Sequence, residues 1–136
     1  MTEEQIGSNA QFTAPQLGLT TIGNHCYAYS GGFGSTTSSQ TMLHFSTGEG
    51  YIIGKLTMSG GIVFATVGGL KTAFQVSLNG SIISLSLFDN QTDHASSLNK
   101  LHLILPPYST LKVECDSDDT NAAALSSVSF VGRVYD

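Results

Sequence analysis

Hydrophobic and polar residues alternate along most of this chain, which is the pattern of strands in a sheet with one buried face. In residues 51–58, for example, Ile52, Leu56 and Met58 share one face. No stretch shows a sustained helical period. About eight such segments are separated by Gly, Asn, Asp and Pro, and this spacing predicts an all-β fold. We expect a single antiparallel β-sandwich of about eight strands, arranged like a jelly roll.

Residues 72–87 contain the clearest local signal, that of a β-hairpin. Asn79-Gly80 lies between two alternating segments, and Asn-Gly is the strongest short signal for a two-residue turn because both central residues need positive φ. The alternation assigns an inward face to each strand. The expected inward residues are Phe74, Val76 and Leu78 in the first strand and Ile83, Leu85 and Leu87 in the second.

Length and composition indicate one folded domain. The chain has 136 residues, of which 40% are hydrophobic and 11% are charged, and its net charge is −5. This combination excludes the disordered class, which has low hydrophobicity and high charge. Ser and Thr, with 18 and 14 residues, make up close to a quarter of the chain. We expect residues 1–10 to form a flexible arm and residues 11–136 to form the sandwich.

Composition also excludes several partners. The chain has 5 Lys and Arg residues, too few for a basic stripe that follows nucleic-acid phosphates. No apolar run approaches the roughly 18 residues that a membrane helix needs. The acidic, polar start of the chain lacks the features of a signal peptide. We therefore expect neither a nucleic-acid partner nor a membrane partner.

Residues that could carry catalysis are sparse and scattered. No His-x-His or Cys-x-x-Cys motif occurs, and the four histidines lie far apart in the sequence. Cys26 follows His25, but adjacent strand residues point to opposite faces, so the two do not form a dyad. Cys26 and Cys115 are expected to be reduced, buried thiols. The sequence predicts a protein that is not an enzyme and needs no cofactor.

A short acidic run is the one candidate for a metal site. Asp116, Asp118 and Asp119 are weak candidates for calcium ligands, because Ca²⁺ takes several carboxylate and carbonyl oxygens. The run lacks the Gly and the distal Glu of an EF-hand loop. The favoured interpretation is a solvated turn in which the Asp side chains bond to the nearby backbone.

The outward positions of the predicted strands carry mainly Ser, Thr, Gln and Asn rather than Lys and Glu. A monomeric β-protein usually covers its faces and edges with charge. We therefore expect other subunits to cover much of this surface, the alternative being a weakly charged monomer. Interface cores are enriched in aromatic residues and Met. The interface candidates are Phe12, Tyr27, Tyr29, Phe33, Met42 and Tyr51.

Two segments in the last third of the chain resemble a known class of protein. Residues 103–115 combine an apolar strand, Pro-Pro, a polar turn and an alternating strand, and residues 129–135 end in Gly-Arg-Val-Tyr. With the hairpin at residues 74–80, they resemble small jelly-roll structural proteins in the virions of tailed bacteriophages and related viruses. The resemblance implies a β-sandwich that decorates a capsid or tail, often as a trimer, without an active site.

The sequence therefore predicts a non-enzymatic virion structural protein, namely a capsid cement or decoration protein. Its expected partners are further copies of itself, as a homotrimer, and the major capsid protein or another virion protein. The alternative is a receptor- or carbohydrate-binding tip of a phage tail fibre or spike. Tyr27, Tyr29 and Phe33 would then be the residues of interest, because sugars stack on aromatic rings, although the chain has no Trp. A β-sandwich enzyme or metalloprotein is the second alternative.

Overall fold

The computed structural model describes residues 18–63, 71–89 and 99–136, and these residues form strands and turns without helix. No helix that could span a membrane is therefore found among them. The predicted arm at residues 1–10 and the candidate Phe12 lie outside the described residues. The strands are β1 (Thr20–Ile22), β2 (His25–Tyr29), β3 (Phe33–Ser35), β4 (Gln40–Ser46), β5 (Tyr51–Val63), β6 (Lys71–Leu78), β7 (Ser81–Asp89), β8 (Asn99–Leu105), β9 (Thr110–Ser117) and β10 (Asn121–Tyr135).

The strands form two antiparallel sheets that pack face to face. One sheet has the order β4-β9-β6-β7, and the other has the order β1-β2-β10-β5-β8, with β3 paired to β10. Without the two three-residue strands β1 and β3, eight strands remain, in two sheets of four. Their interleaved order is that of a jelly roll. The prediction of an all-β, jelly-roll-like sandwich is confirmed.

The core lies between the two sheets and is built by alternate residues of the long strands. Most of the predicted inward faces are confirmed, including Ile52, Leu56 and Met58 of β5 and Leu103 and Leu105 of β8. The largest fully buried side chains are Phe74, Phe130, Met42, Leu43, Ile52, Leu56, Met58, Leu105, Leu111, Val76, Val113 and Val128. Burial of these apolar groups is the main force that holds the sheets together.

Buried hydroxyl groups fasten the turns at the ends of the sandwich. Thr47 Oγ1 donates a 2.7 Å hydrogen bond to the carbonyl of Pro106 and accepts one of 2.8 Å from the amide of Ser109. At another point Ser30 Oγ accepts a 2.8 Å hydrogen bond from the amide of Val128. These bonds satisfy backbone groups that would otherwise be buried without partners. Some of the abundant Ser and Thr residues therefore have a structural role.

The β6–β7 hairpin differs from the prediction in one strand. The turn forms at Asn79-Gly80, with φ of 52° and 85°. Phe74 and Val76 are 1% exposed, as expected. Leu85 and Leu87, by contrast, are 72% and 68% exposed, so their predicted inward orientation is wrong. Ile83, predicted inward with them, is also exposed.

A β-bulge is the physical reason for this difference. Ser77 pairs with Ile82, but Val76 pairs with Ser84, so Ile83 is an extra residue without a partner of its own. Because side chains alternate with a period of two, one extra residue reverses the faces of the rest of the strand. Phe88 becomes the buried residue of β7 and packs edge-on against Phe74, with ring centroids 5.4 Å apart.

Candidate functional site

Three of the six predicted interface residues lie on one surface, the outward face of the larger sheet. Tyr29 and Tyr51 are exposed there, and Tyr27 is half-buried. Phe33 is partly buried against the core. Met42 is 0% exposed, so its proposed place in an interface is wrong: the side chain fills the core of the sandwich.

The register of the larger sheet places its outward residues in regular rows across four strands. Val131 of β10 lies between Tyr27 of β2 and Lys55 of β5. Lys55 in turn lies opposite His102 of β8. We call this surface the tyrosine face. It consists of His25, Tyr27, Tyr29, Tyr51, Ile53, Lys55, Thr57, Lys100, His102, Ile104, Ser129, Val131, Arg133 and Tyr135.

The four tyrosines of this face form two pairs. Tyr27 and Tyr29, on the same strand, have ring centroids 5.0 Å apart and planes inclined by 34°. Tyr51 and Tyr135 face each other across β5 and β10, with centroids 5.3 Å apart and an angle of 16°, so these rings stack. The guanidinium carbon of Arg133 lies 5.9 Å from the Tyr135 ring centre, a cation–π distance. Each pair offers a broad and rigid contact surface.

Aliphatic residues fill the space between the tyrosine pairs. Ile53, Ile104 and Val131 are 44%, 66% and 52% exposed, although their neighbours along each strand are buried. An exposed apolar patch rimmed by polar residues is typical of a protein interaction site. The tyrosine face therefore combines aromatic anchors with an apolar surface that a partner can desolvate.

The charge of this face is opposite in sign to that of the chain. Lys55, Lys100 and Arg133 are three of the 5 Lys and Arg residues in the protein, whereas the outward positions of the face contain no Asp or Glu. The whole chain has a net charge of −5. A partner surface with exposed carboxylates would be complementary to this face.

The carboxylates of the acidic run near residue 118 accept hydrogen bonds from backbone amides. The carboxylate of Asp118 accepts a 3.2 Å hydrogen bond from the amide of Lys71, and that of Asp119 accepts one of 2.8 Å from the amide of Thr120. Within the described part of the chain, no three His, Cys, Asp or Glu side chains are grouped so that they could hold a metal ion. This gives the weak calcium assignment to Asp116, Asp118 and Asp119 no support. The Asp119 bond to the next residue is the local kind that the turn interpretation predicts, whereas Asp118 bonds to a residue of β6.

Away from the exposed leucines of β7, the outward face of the smaller sheet is mainly polar. One shallow depression of about 370 Å³ is lined by His44, Gln75, Lys112 and Glu114 among others. Lys112 Nζ lies 3.4 Å from Glu114 Oε2, so these two residues of β9 form an ion pair with each other. No Tyr, Phe or Trp lines this depression, so it lacks the paired rings found on the tyrosine face.

Both thiols are buried and unreactive in the folded protein. Cys26 and Cys115 are free cysteines on inward faces, as predicted, and His25 points outward from the same strand as Cys26. Burial raises the pKa of the Cys26 thiol. Burial, and to a smaller extent the negative charge of Asp116, raises the pKa of Cys115 to about 11. A thiol with a raised pKa is a poor nucleophile at neutral pH.

Sequence reasoning missed part of the tyrosine face. Ile53, Ile104, Val131 and Tyr135 were not among the predicted interface residues. Their signal is present in the sequence: each is a large apolar residue out of phase with the buried residues of its strand. Their proximity depends on how four distant strands pair, which alternation alone does not specify.

No protein-family model matches the sequence, and no curated protein sequence matches it. Several solved structures align with this chain at TM-scores below 0.5. The insecticidal delta-endotoxin Cry8Ea1 of Bacillus thuringiensis is 7% identical, with a TM-score of 0.44, over 77% of this chain and 19% of that chain. The latent PorU dimer of Porphyromonas gingivalis is 16% identical, with a TM-score of 0.44, over 76% of this chain and 11% of that chain. A family 35 carbohydrate-binding module from an environmental isolate is 15% identical, with a TM-score of 0.31, over 94% of this chain and 80% of that chain.

Proposed function

We propose that this chain is a non-enzymatic structural protein of a virion, a capsid cement or decoration protein that binds the particle through its tyrosine face. The observation that carries the proposal is the concentration of stacked tyrosines and exposed aliphatic residues on one sheet surface. Such a surface gains free energy mainly when another protein covers it. The major capsid protein is the proposed partner.

The charge pattern supports a protein partner with an acidic surface. Lys55 and Arg133 lie among the aliphatic residues of the two central strands, opposite Val131 and Ile53, and the outward positions of the face carry no Asp or Glu. Charged groups in an interface steer association and fix its orientation, while desolvated apolar and aromatic groups supply most of the affinity. The threefold self-association inferred from the sequence remains a prediction within this proposal.

The experiment is to count copies of the chain in purified particles. Tyr29→Asp places a carboxylate on the tyrosine face, and we expect it to lower the copies per particle at least tenfold. Tyr108→Asp is the matched control, because Tyr108 is 73% exposed in the turn between β8 and β9 and lies outside the face. Quantitative mass spectrometry measures the occupancy. Absence of the wild-type chain from particles contradicts the virion role, and full occupancy of Tyr29→Asp contradicts the role of the face.

Carbohydrate binding is the second candidate, and the exposed tyrosine pairs favour it. Sugar rings stack on exposed aromatic side chains, and Tyr27 and Tyr29 present two adjacent rings. A glycan array with the wild-type protein and Tyr29→Ala tests this candidate. Binding that is lost in the variant supports it, whereas an array without any signal rejects it.

A further inference from the structure

We infer that strand β7 is a second interaction surface and that its occupant is the β7 strand of another copy of this chain. The two strands would pair antiparallel about a twofold axis and join two four-stranded sheets into one of eight strands. This inference does not depend on the proposed virion function, because β7 belongs to the smaller sheet and shares no residue with the tyrosine face.

The first observation is that β7 is an open sheet edge without charged residues or Pro over residues 81–88. It is the terminal strand of its sheet among the described residues. Residues 81–88 contain no charged residue, no Pro and no Gly. Natural edge strands normally carry Lys or Pro, because an unprotected edge pairs with other chains. The edge strand β8 of the larger sheet shows this protection, since Lys100 and His102 point outward from it.

The second observation is that the exposed residues of β7 are its most hydrophobic ones. Leu85 and Leu87 are 72% and 68% exposed, while Ser84 and Ser86 occupy the inward positions. The inward Ser86 accepts a 2.5 Å hydrogen bond from the Asn99 side chain, which satisfies its hydroxyl group. Contact of these two leucine side chains with water is unfavourable. A partner on this edge would recover part of that free energy.

The third observation is that the β7 pattern is complementary to itself. The order Leu85-Ser86-Leu87 reads the same in both directions. In an antiparallel pair centred on Ser86, Leu85 lies opposite Leu87 of the partner subunit, and the reverse contact also forms. All four leucines then share one face of the joined sheet, as an isologous interface requires.

The bulge sets the length of the paired segment. Ile83 has no partner in β6 and interrupts the regular strand, which leaves residues 84–88 free to pair on their outer edge. A sheet of eight strands lies within the usual range. Residues 84–88 carry no charge, and in this pairing Asp89, the last residue of β7, lies opposite Ile83 of the other copy, so the two Asp89 residues are at opposite ends of the paired segment.

The test is the mass of the protein in solution, measured by light scattering after size-exclusion chromatography at high micromolar concentration. We expect Leu85→Lys and Leu87→Lys each to halve the mass of the wild-type assembly. Tyr108→Lys is the matched control, since Tyr108 is 73% exposed in the turn between β8 and β9 and lies outside both β7 and the tyrosine face. It should leave the mass unchanged.

Other outcomes overturn the inference. The inference is wrong if the wild-type protein is monomeric at this concentration. It is also wrong if Leu85→Lys and Leu87→Lys fold and keep the mass of the wild-type assembly. An equal loss of mass in Tyr108→Lys shows that β7 has no special part in assembly. Particle occupancy of the Tyr29→Asp variant reports on the proposed virion function separately, so the two ideas can fail independently.

Discussion

Strands β6 and β7 are the two arms of one hairpin, yet their apolar residues lie on opposite sides of the sheet. Phe74 and Val76 of β6 are 1% exposed, whereas Leu85 and Leu87 of β7 are the most exposed leucines in the described chain. The two arms have nearly the same alternating pattern. The difference therefore comes from the bulge at Ile83 and not from hydrophobicity.

This contrast shows what determines the orientation of an edge strand. A central strand such as β6 is paired on both sides, and its register is fixed by two neighbours. β7 has one neighbour among the described strands, so a single extra residue can reverse it. The reversal buries Phe88 against Phe74 and leaves two leucines for contact with a partner.

The largest expected effect in the hairpin is that of truncating its buried arm. Phe74→Ala should lower the free energy of unfolding by about 3–5 kcal/mol, because it removes a fully buried ring and leaves a cavity beside Phe88. Leu85→Ala should change it by less than about 0.5 kcal/mol in dilute, monomeric protein, as expected for an exposed site. Urea unfolding followed by circular dichroism measures both values. Equal losses would contradict the difference between the two arms.

A smaller effect is expected from deprotonation of the Cys115 thiol. Cys115 lies on β9, opposite Phe74 of β6. Its folded-state pKa of about 11 is raised above the unfolded value, so the native state retains the proton longer. The stabilisation is complete below the unfolded pKa and is lost as the pH rises through the folded pKa. We expect a loss of the order of 2 kcal/mol between about pH 8.5 and pH 11.

Chemical denaturation across this pH range measures the effect, and Cys115→Ala is the control. The variant keeps the contribution of every other titrating group but lacks the thiol. Its stability should therefore fall less steeply than that of the wild type. Parallel stability curves for the two proteins would argue against a buried, protonated Cys115.

The smallest expected change follows from deleting Ile83. Removal of the unpaired residue gives a regular hairpin in which Ser84 still faces Val76 and Phe88 remains inward. The free energy of unfolding should change by less than about 1 kcal/mol, as measured by urea unfolding against the full chain. If the hairpin had no bulge, Leu85 and Leu87 would face the core, and deletion of Ile83 would turn them out to solvent. A loss of several kcal/mol would therefore contradict the observed register.

Much of the fold could be predicted because alternation directly reflects burial. Ile52, Leu56 and Met58 of β5, and Leu111, Val113 and Cys115 of β9, are buried as their spacing indicates. The turn at Asn79-Gly80 was also predicted, since few residue pairs adopt two positive φ angles so readily. These features depend on neighbours in the chain, which the sequence contains in full.

The candidate site could be predicted only in part. Tyr27, Tyr29 and Tyr51 lie on the tyrosine face, but Met42 was assigned to the surface and lies in the core. Met42 is the extra residue of a second bulge, because Val113 of β9 pairs with Leu43 of β4 and the next residue, Glu114, pairs with Thr41. Both Met42 and the following Leu43 are buried there. The position of such a bulge depends on the pairing with a distant strand and leaves no signal in the local pattern.

The sequence by itself determined the fold class, the inward faces of the regular strands and the position of the hairpin turn, because each depends on residues close together in the chain. The tertiary structure alone decided which outward residues of β2, β5, β8 and β10 meet on the tyrosine face. It also decided that β7 presents its leucines to solvent. Both follow from strand pairing over long sequence separations, where a shift of one residue exchanges the buried face for the exposed one.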